Sequence, residues 1–226
     1  MKKGVITAIL TISCGLLLVG CGKTSTASTG NTSAKNQPDK LRLYSDGKTA
    51  KRIWYRVDGD ELSHTITKDT LVSDVYAINT GKMTHYTVGY KNDDGNFAIP
   101  LKDFKGLTYN GVIKKAKKLV NDQKEASIEP TKTYKTVALK AQVTADDSGN
   151  AASSEGMMDG SHFYWMYGQT LGVFPVYKQY YSGYFRNTYD YGLHGNRMHA
   201  LITAVGENTN IEFDSLKTKG LRVLDE

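Results

Sequence analysis

The stretch VSDVYAINTGKMTHYTVGYK, residues 72–91, carries the pattern that decides the fold class. Val72 to Asn79 and Met83 to Lys91 are rich in β-branched and aromatic residues. Asn79-Thr80-Gly81-Lys82 between them has the turn chemistry of a hairpin. In the second run Tyr86, Val88 and Tyr90 alternate with His85, Thr87 and Gly89, the period of a strand with one buried face. Upstream, Arg52 to Val57 is another β-prone run, ended by Asp58-Gly59-Asp60. Downstream, Asn92 to Asn96 reads as a turn, and Phe97 to Leu101, holding Pro100, as an edge segment.

One helix interrupts the strands. Val112, Ile113, Ala116, Leu119 and Val120 recur at the spacing of a single helical face, placing a helix near 111–124. Lys114, Lys115, Lys117 and Lys118 lie between them. They read as a solvated face in preference to a contact for anionic lipid or teichoic acid.

Residues 121–132, NDQKEASIEPTK, are polar and contain Pro130, the best place for a linker. Beyond it Tyr134 to Thr144 predicts a strand, Asp146 to Asn150 a turn, 199–205 and 210–213 a late hairpin around Gly206 to Thr209, and Leu221 to Leu224 a closing strand. The expected fold is α+β and β-rich. It comprises a small mixed unit of antiparallel strands and one helix over 41–128, then a β-rich, Tyr-rich unit over 129–226.

The N-terminus reads as an address. Met1-Lys2-Lys3 is a short positive segment, and Val5 to Val19 is a mostly apolar run, shorter than the ~20 residues needed to span a bilayer. It ends in Leu18-Val19-Gly20-Cys21, which resembles the bacterial lipobox. That resemblance implies cleavage between Gly20 and Cys21, removing 1–20 as a signal peptide, and diacylglyceryl (palmitate-type) lipidation of Cys21 as the first mature residue. Two acyl chains at ~0.8 kcal/mol per buried methylene hold a protein where one would anchor marginally.

The expected location is therefore the extracytoplasmic face of the cell membrane. Residues 21–40 then form the lipidated cysteine and a Ser/Thr-rich tether, too poor in apolar side chains to fold. As a flexible coil, residues 22–40 span about 25 Å r.m.s. at ~5–6 Å per root residue. Cys14 lies in the discarded segment, so Cys21 is the one cysteine left, and thiol catalysis and cysteine-based metal sites are excluded. The chain has 29 basic and 23 acidic residues, a formal charge of +6 that falls to +4 once Lys2 and Lys3 are removed. That mild excess is no nucleic-acid footprint.

Between Phe163 and Tyr191, 12 of 29 residues are aromatic. These aromatics, Trp165, Tyr177, Tyr180, Tyr181 and Tyr184 among them, are candidates for contact with a cell-wall polymer, a carbohydrate or a protein, since Tyr and Trp offer rigid amphipathic area. The competing reading makes them core filler and cross-strand pairs.

An active site is harder to find. His162, His194 and His199 are weak candidates for a metal, because a five-residue spacing puts strand side chains on opposite faces and no zinc-hydrolase pattern accompanies them. No nucleophile elbow or S-x-x-K occurs, and Asp93/Asp94 and Asp146/Asp147 sit in turns where Asp caps local backbone donors. The composition calls for no cofactor.

The lipobox, the Ser/Thr tether, Ile53-Trp54-Tyr55, and Asp103-Phe104-Lys105-Gly106 leading to Ile113-Lys114-Lys115-Ala116-Lys117 look like small uncharacterised surface lipoproteins of lactobacilli and related Gram-positive bacteria. The similarity covers residues 1–125 and implies a location, with no activity to carry over. The leading expectation is a non-enzymatic binding module at the cell surface. The alternatives are an envelope hydrolase or metal-dependent enzyme centred on His162, His194 and His199, and the solute-binding subunit of a transporter.

Overall fold

Residues 39–58, 65–89, 91–92, 95–96, 99–125, 134–159, 162–163, 166–190 and 195–224 are described by the computed structural model. Cys21, His64, Asp93, Asp94, Trp165 and His194 lie outside them. The chain enters through β1 (Asp39–Leu41), which takes the last two residues of the expected tether, and a short helix α1 (Leu43–Gly47). Then follow β2 (Lys51–Asp58), β3 (Leu71–Asn79) and β4 (Lys82–Thr87). β3 and β4 pair from Asp74↔Thr87 to Asn79↔Lys82, leaving Thr80 and Gly81 as a two-residue turn with positive φ at both. Gly81 makes that turn possible, so the hairpin read from 72–91 forms.

Two dipeptide strands, β5 (Lys91–Asn92) and β6 (Gly95–Asn96), pair with each other. β7 (Ile99–Pro100) adds to β3 at Leu71–Val72, as an edge segment holding proline should. A 3-10 turn (Leu101–Phe104) leads into α2 (Tyr109–Glu125). α2 starts two residues before Gly111 because the Thr108 hydroxyl accepts from Gly111 N–H at 3.2 Å, and its carbonyl takes the Val112 N–H. It buries Val112, Ala116 and Val120 and leaves Lys114, Lys117 and Lys118 exposed, the split its periodicity predicts.

Among the described residues the regular elements of the second half are all strands: β8 (Thr136–Ala138), β9 (Lys140–Ala145), β10 (Ala152–Asp159), β11 (His162–Phe163), β12 (Gln169–Val176), β13 (Gln179–Asp190), β14 (Gly195–Val205), β15 (Thr209–Ile211) and β16 (Arg222–Leu224). The large sheet runs β12-β13-β14-β2-β3-β4-β8, and a smaller one β11-β10-β9-β16. Strands from both sides of residue 128 thus share the large sheet, so the two units expected at 41–128 and 129–226 do not own separate sheets. Residues Gln37–Glu226 form one compact unit. The fold is α+β and β-rich.

Cores cover both faces of the large sheet. On one face Tyr55, Val57, Val75, Ala77, Tyr86, Ala200 and Ile202 pack with α2 and with Leu101 and Phe104 of the 3-10 turn. On the other Trp54, Tyr76, Ile78, Met83, Tyr184 and Leu201 pack with α1, with Leu139 between β8 and β9, and with Ala141 and Met157 of the smaller sheet. The alternation Trp54/Tyr55 or Tyr76/Ala77 is therefore apolar on both sides. All of these residues fall within Gln37–Glu226, so the unit contains its own cores and folds as one.

Three strand expectations change. The run expected from Met83 to Lys91 ends as a strand at Thr87. The run 134–144 is broken at buried Leu139, so that β8 extends the large sheet and β9 the small one. The late hairpin does not form. β15 turns away from β14 and pairs in parallel with β1, where Lys40 and Arg42 meet Glu212 at 2.8 and 2.6 Å.

Candidate functional site

The aromatic segment folds into the hairpin β12–β13. Because β13 lies between two cores, both of its faces take up aromatic side chains. Tyr181 packs toward α2 with Phe174, while Tyr184 stacks between Trp54 and Phe213 at centroid distances of 5.7 and 5.5 Å. Tyr181 and Tyr184 are 3% and 0% exposed, so their expected role in binding is corrected to one in the core. The Tyr184 hydroxyl accepts from Leu43 N–H at 3.1 Å and donates to the Glu212 carbonyl at 2.9 Å, which anchors α1 and the segment after β15. Tyr180 is half-buried.

Tyr177 is different, being 46% exposed. Val176↔Gln179 is the last pair of the hairpin, so Tyr177 and Lys178 form a two-residue turn with φ of 50° and 64°. That is the type I′ signature, normally supplied by Asn-Gly, because each residue with a Cβ in the left-handed region costs roughly 1–2 kcal/mol. An aromatic and a lysine are thus held in a strained turn at an exposed tip.

Neighbours extend the tip into a surface. Lys105 Nζ stands 4.5 Å from the Tyr177 ring centroid. Lys102 Nζ, whose charge is strengthened first by its bond to Asp69 and further by Tyr177 nearby, donates to Asp69 Oδ1 at 2.7 Å, and Lys68 also pairs with Asp69. Lys115 bonds the Asp103 carbonyl at 2.8 Å and lies over Phe104. Leu107, 41% exposed, follows in the same turn. Lys68, Lys102, Lys105, Lys115 and Lys178 therefore face only Asp69 and Asp103 among these residues, an excess of positive charge around an exposed ring.

A second polar cluster lies on the opposite face of the large sheet. Asp74, 3% exposed, receives His85 Nε2 at 2.6 Å and Thr87 Oγ1 at 3.1 Å, with Arg56 Nε 2.8 Å from its other oxygen. Burial opposes the charge of Asp74, yet the His85 bond and the Arg56 guanidinium hold its carboxyl below the usual range. One row along, His199 Nδ1 stands 2.6 Å from Asp58 Oδ1 and is paired across the strands with Arg186. Carboxylates thus orient both imidazoles, and the ring of His85 also stacks on Tyr76.

Of the expected histidine cluster, His199 joins Asp58, and His162 falls in β11 opposite Asp159 in register. Among the described residues no three His, Cys, Asp or Glu side chains gather closely enough to hold a metal ion. Asp146 caps its own turn, accepting from Asn150 and Ala151 N–H. The chain matches no family model, no curated protein and no solved structure.

Reading the sequence missed Arg56, Asp58, Asp74 and Lys105 as members of polar sites. Asp74 gave a signal, a lone carboxylate inside an apolar strand. The tip gave none, since Tyr-Lys is not turn chemistry.

Proposed function

We propose that this protein is a lipid-anchored, non-enzymatic binding module on the extracytoplasmic face of a Gram-positive membrane, with the Tyr177–Lys178 tip as its contact surface. The address rests on Leu18-Val19-Gly20-Cys21 and on the likeness to small surface lipoproteins. Among the described residues no helix is long and apolar enough to span a membrane.

The observation that carries the binding role is the exposed, left-handed Tyr177–Lys178 turn. Strained backbone persists where something other than stability selects the residues. Asn-Gly would close the same hairpin with less strain; Tyr-Lys instead presents a ring and an ammonium group to whatever lies outside. Fractionation of cells tests the address: the full chain partitions with membranes and incorporates labelled palmitate, whereas Cys21→Ser loses the label and sheds the domain from the membrane on release of the leader. A labelled Cys21→Ser protein contradicts the assignment.

A second reading, an envelope hydrolase, draws on the Asp58–His199 pair, because a carboxylate that fixes an imidazole is a common part of acid–base sites. It predicts turnover of cell-wall fragments that Asp58→Asn removes.

A further inference from the structure

We propose that the surface around Tyr177, Lys178, Lys105 and Leu107 docks onto the anionic phospholipid headgroups of the membrane. The inference rests on the anchoring reading above for its setting, and on this surface for its chemistry.

Three features agree. The first is charge: five lysines, Lys68, Lys102, Lys105, Lys115 and Lys178, stand against Asp69 and Asp103. Lysines near an anionic leaflet each contribute to attachment, while their long stems let the ammonium groups reach phosphate as the backbone stays above it. The second is the exposed apolar content beside that charge. Tyr177 and Leu107 are 46% and 41% exposed, and Tyr is the side chain suited to a headgroup layer, with an apolar ring and a polar tip. The Lys105 ammonium over the Tyr177 ring keeps cation and ring together, so that they enter the interface as a pair.

The third feature is reach. With Cys21 as the anchor, the stretch before β1 cannot reach beyond about 60 Å even fully extended, which keeps the domain near the bilayer, where a weak surface contact acts at high effective concentration. The lipid holds the domain at the membrane, and the basic-aromatic patch adds a second contact that orients it there.

Co-sedimentation of the unit Gln37–Glu226 with vesicles tests this without the anchor. Vesicles of phosphatidylcholine containing phosphatidylglycerol bind the unit, pure phosphatidylcholine binds it at least about tenfold more weakly, and added salt releases it. The double variant Tyr177→Asn/Lys178→Gly keeps its fold, because it carries the preferred turn sequence, yet loses vesicle binding. Lys105→Gln weakens binding roughly fivefold.

Undiminished binding by the folded double variant overturns the proposal. So does binding to a soluble glycerol-phosphate polymer with none to anionic vesicles, which assigns the surface to the wall instead. Failure here leaves palmitate labelling of Cys21 untouched, so the two claims are separable.

Discussion

The backbone N–H of Asp214 donates to Oε2 of Glu155 at 2.8 Å, in a layer where the two residues are only 1% and 0% exposed. The Asp214 carboxylate in turn accepts from the N–H groups of Tyr44 and Ser45, at 2.8 and 3.1 Å, and from the Ser45 hydroxyl. A carboxylate supplied from far along the chain thus caps α1, and Glu155 holds that carboxylate's backbone.

Burial raises the Glu155 carboxyl well above the usual range, and the Asp214 charge beside it adds to the effect. The folded state therefore prefers the neutral acid. Its contribution to stability is fully present below the unfolded value and is lost as pH rises through the raised folded value. Glu155→Gln, which keeps the shape and carries no charge, should flatten the fall in stability toward alkaline pH. Urea unfolding at several pH values measures this, and an unchanged pH slope contradicts the neutral assignment.

Asp74 bounds the acid side. Its folded value lies below the usual range, so its contribution is present above the unfolded value and disappears as pH falls through the folded one. Asp74→Asn leaves Arg56 and His85 facing an amide, and should cost about 2–4 kcal/mol at neutral pH. The same substitution should shrink the stability lost on acidification. Equal acid sensitivity in parent and variant would count against the network.

Within one aromatic segment, Tyr184 and Tyr180 should behave oppositely. Tyr184→Ser empties a site between Trp54 and Phe213 and strands the Leu43 N–H, a loss of about 3–5 kcal/mol. Tyr184→Phe keeps the stacking and should cost about 1–3 kcal/mol for the unsatisfied N–H. Tyr180→Ser, at a half-buried position, should stay below about 1 kcal/mol. Thermal unfolding of the three variants reads the order directly.

Gly183 is a further test of the hairpin's register. A Cβ built there would lie 2.0 Å from the Leu201 carbonyl oxygen, a backbone atom that cannot step aside without moving β14. Gly183→Ala should therefore separate β13 from β14 at the centre of the large sheet and destabilise by several kcal/mol, on the order of a large core substitution. A variant as stable as the parent would place the strands wrongly.

How far the sequence revealed this depends on where each signal was local. The β3–β4 hairpin was legible because Gly81 announces the turn and the alternation runs on both sides. α2 was legible from its apolar stripe. The β12–β13 turn was hidden, since Tyr177 and Lys178 occupy conformations their side chains disfavour.

The parallel pairing of β15 with β1 was hidden for another reason: it joins residues 170 positions apart, beyond any local pattern. Twelve aromatics between Phe163 and Tyr191 are many for a single core face. The large sheet has two, which only its place between α2 and the smaller sheet reveals. Of the polar sites, Asp74 was visible as an anomaly in an apolar run, whereas Arg56, Asp58 and His199 meet only through strand register.

The Tyr177–Lys178 turn is held against its own stability, and chemical denaturation of Tyr177→Asn/Lys178→Gly measures that most directly. Relief of two left-handed residues at roughly 1–2 kcal/mol each, offset by about 1 kcal/mol for the greater freedom of glycine in the unfolded chain, should raise the unfolding free energy by about 1–3 kcal/mol with an unchanged denaturant slope. A variant less stable than the parent would mean that Tyr177 and Lys178 are there to hold the hairpin together, and the tip would have no claim to be a contact surface.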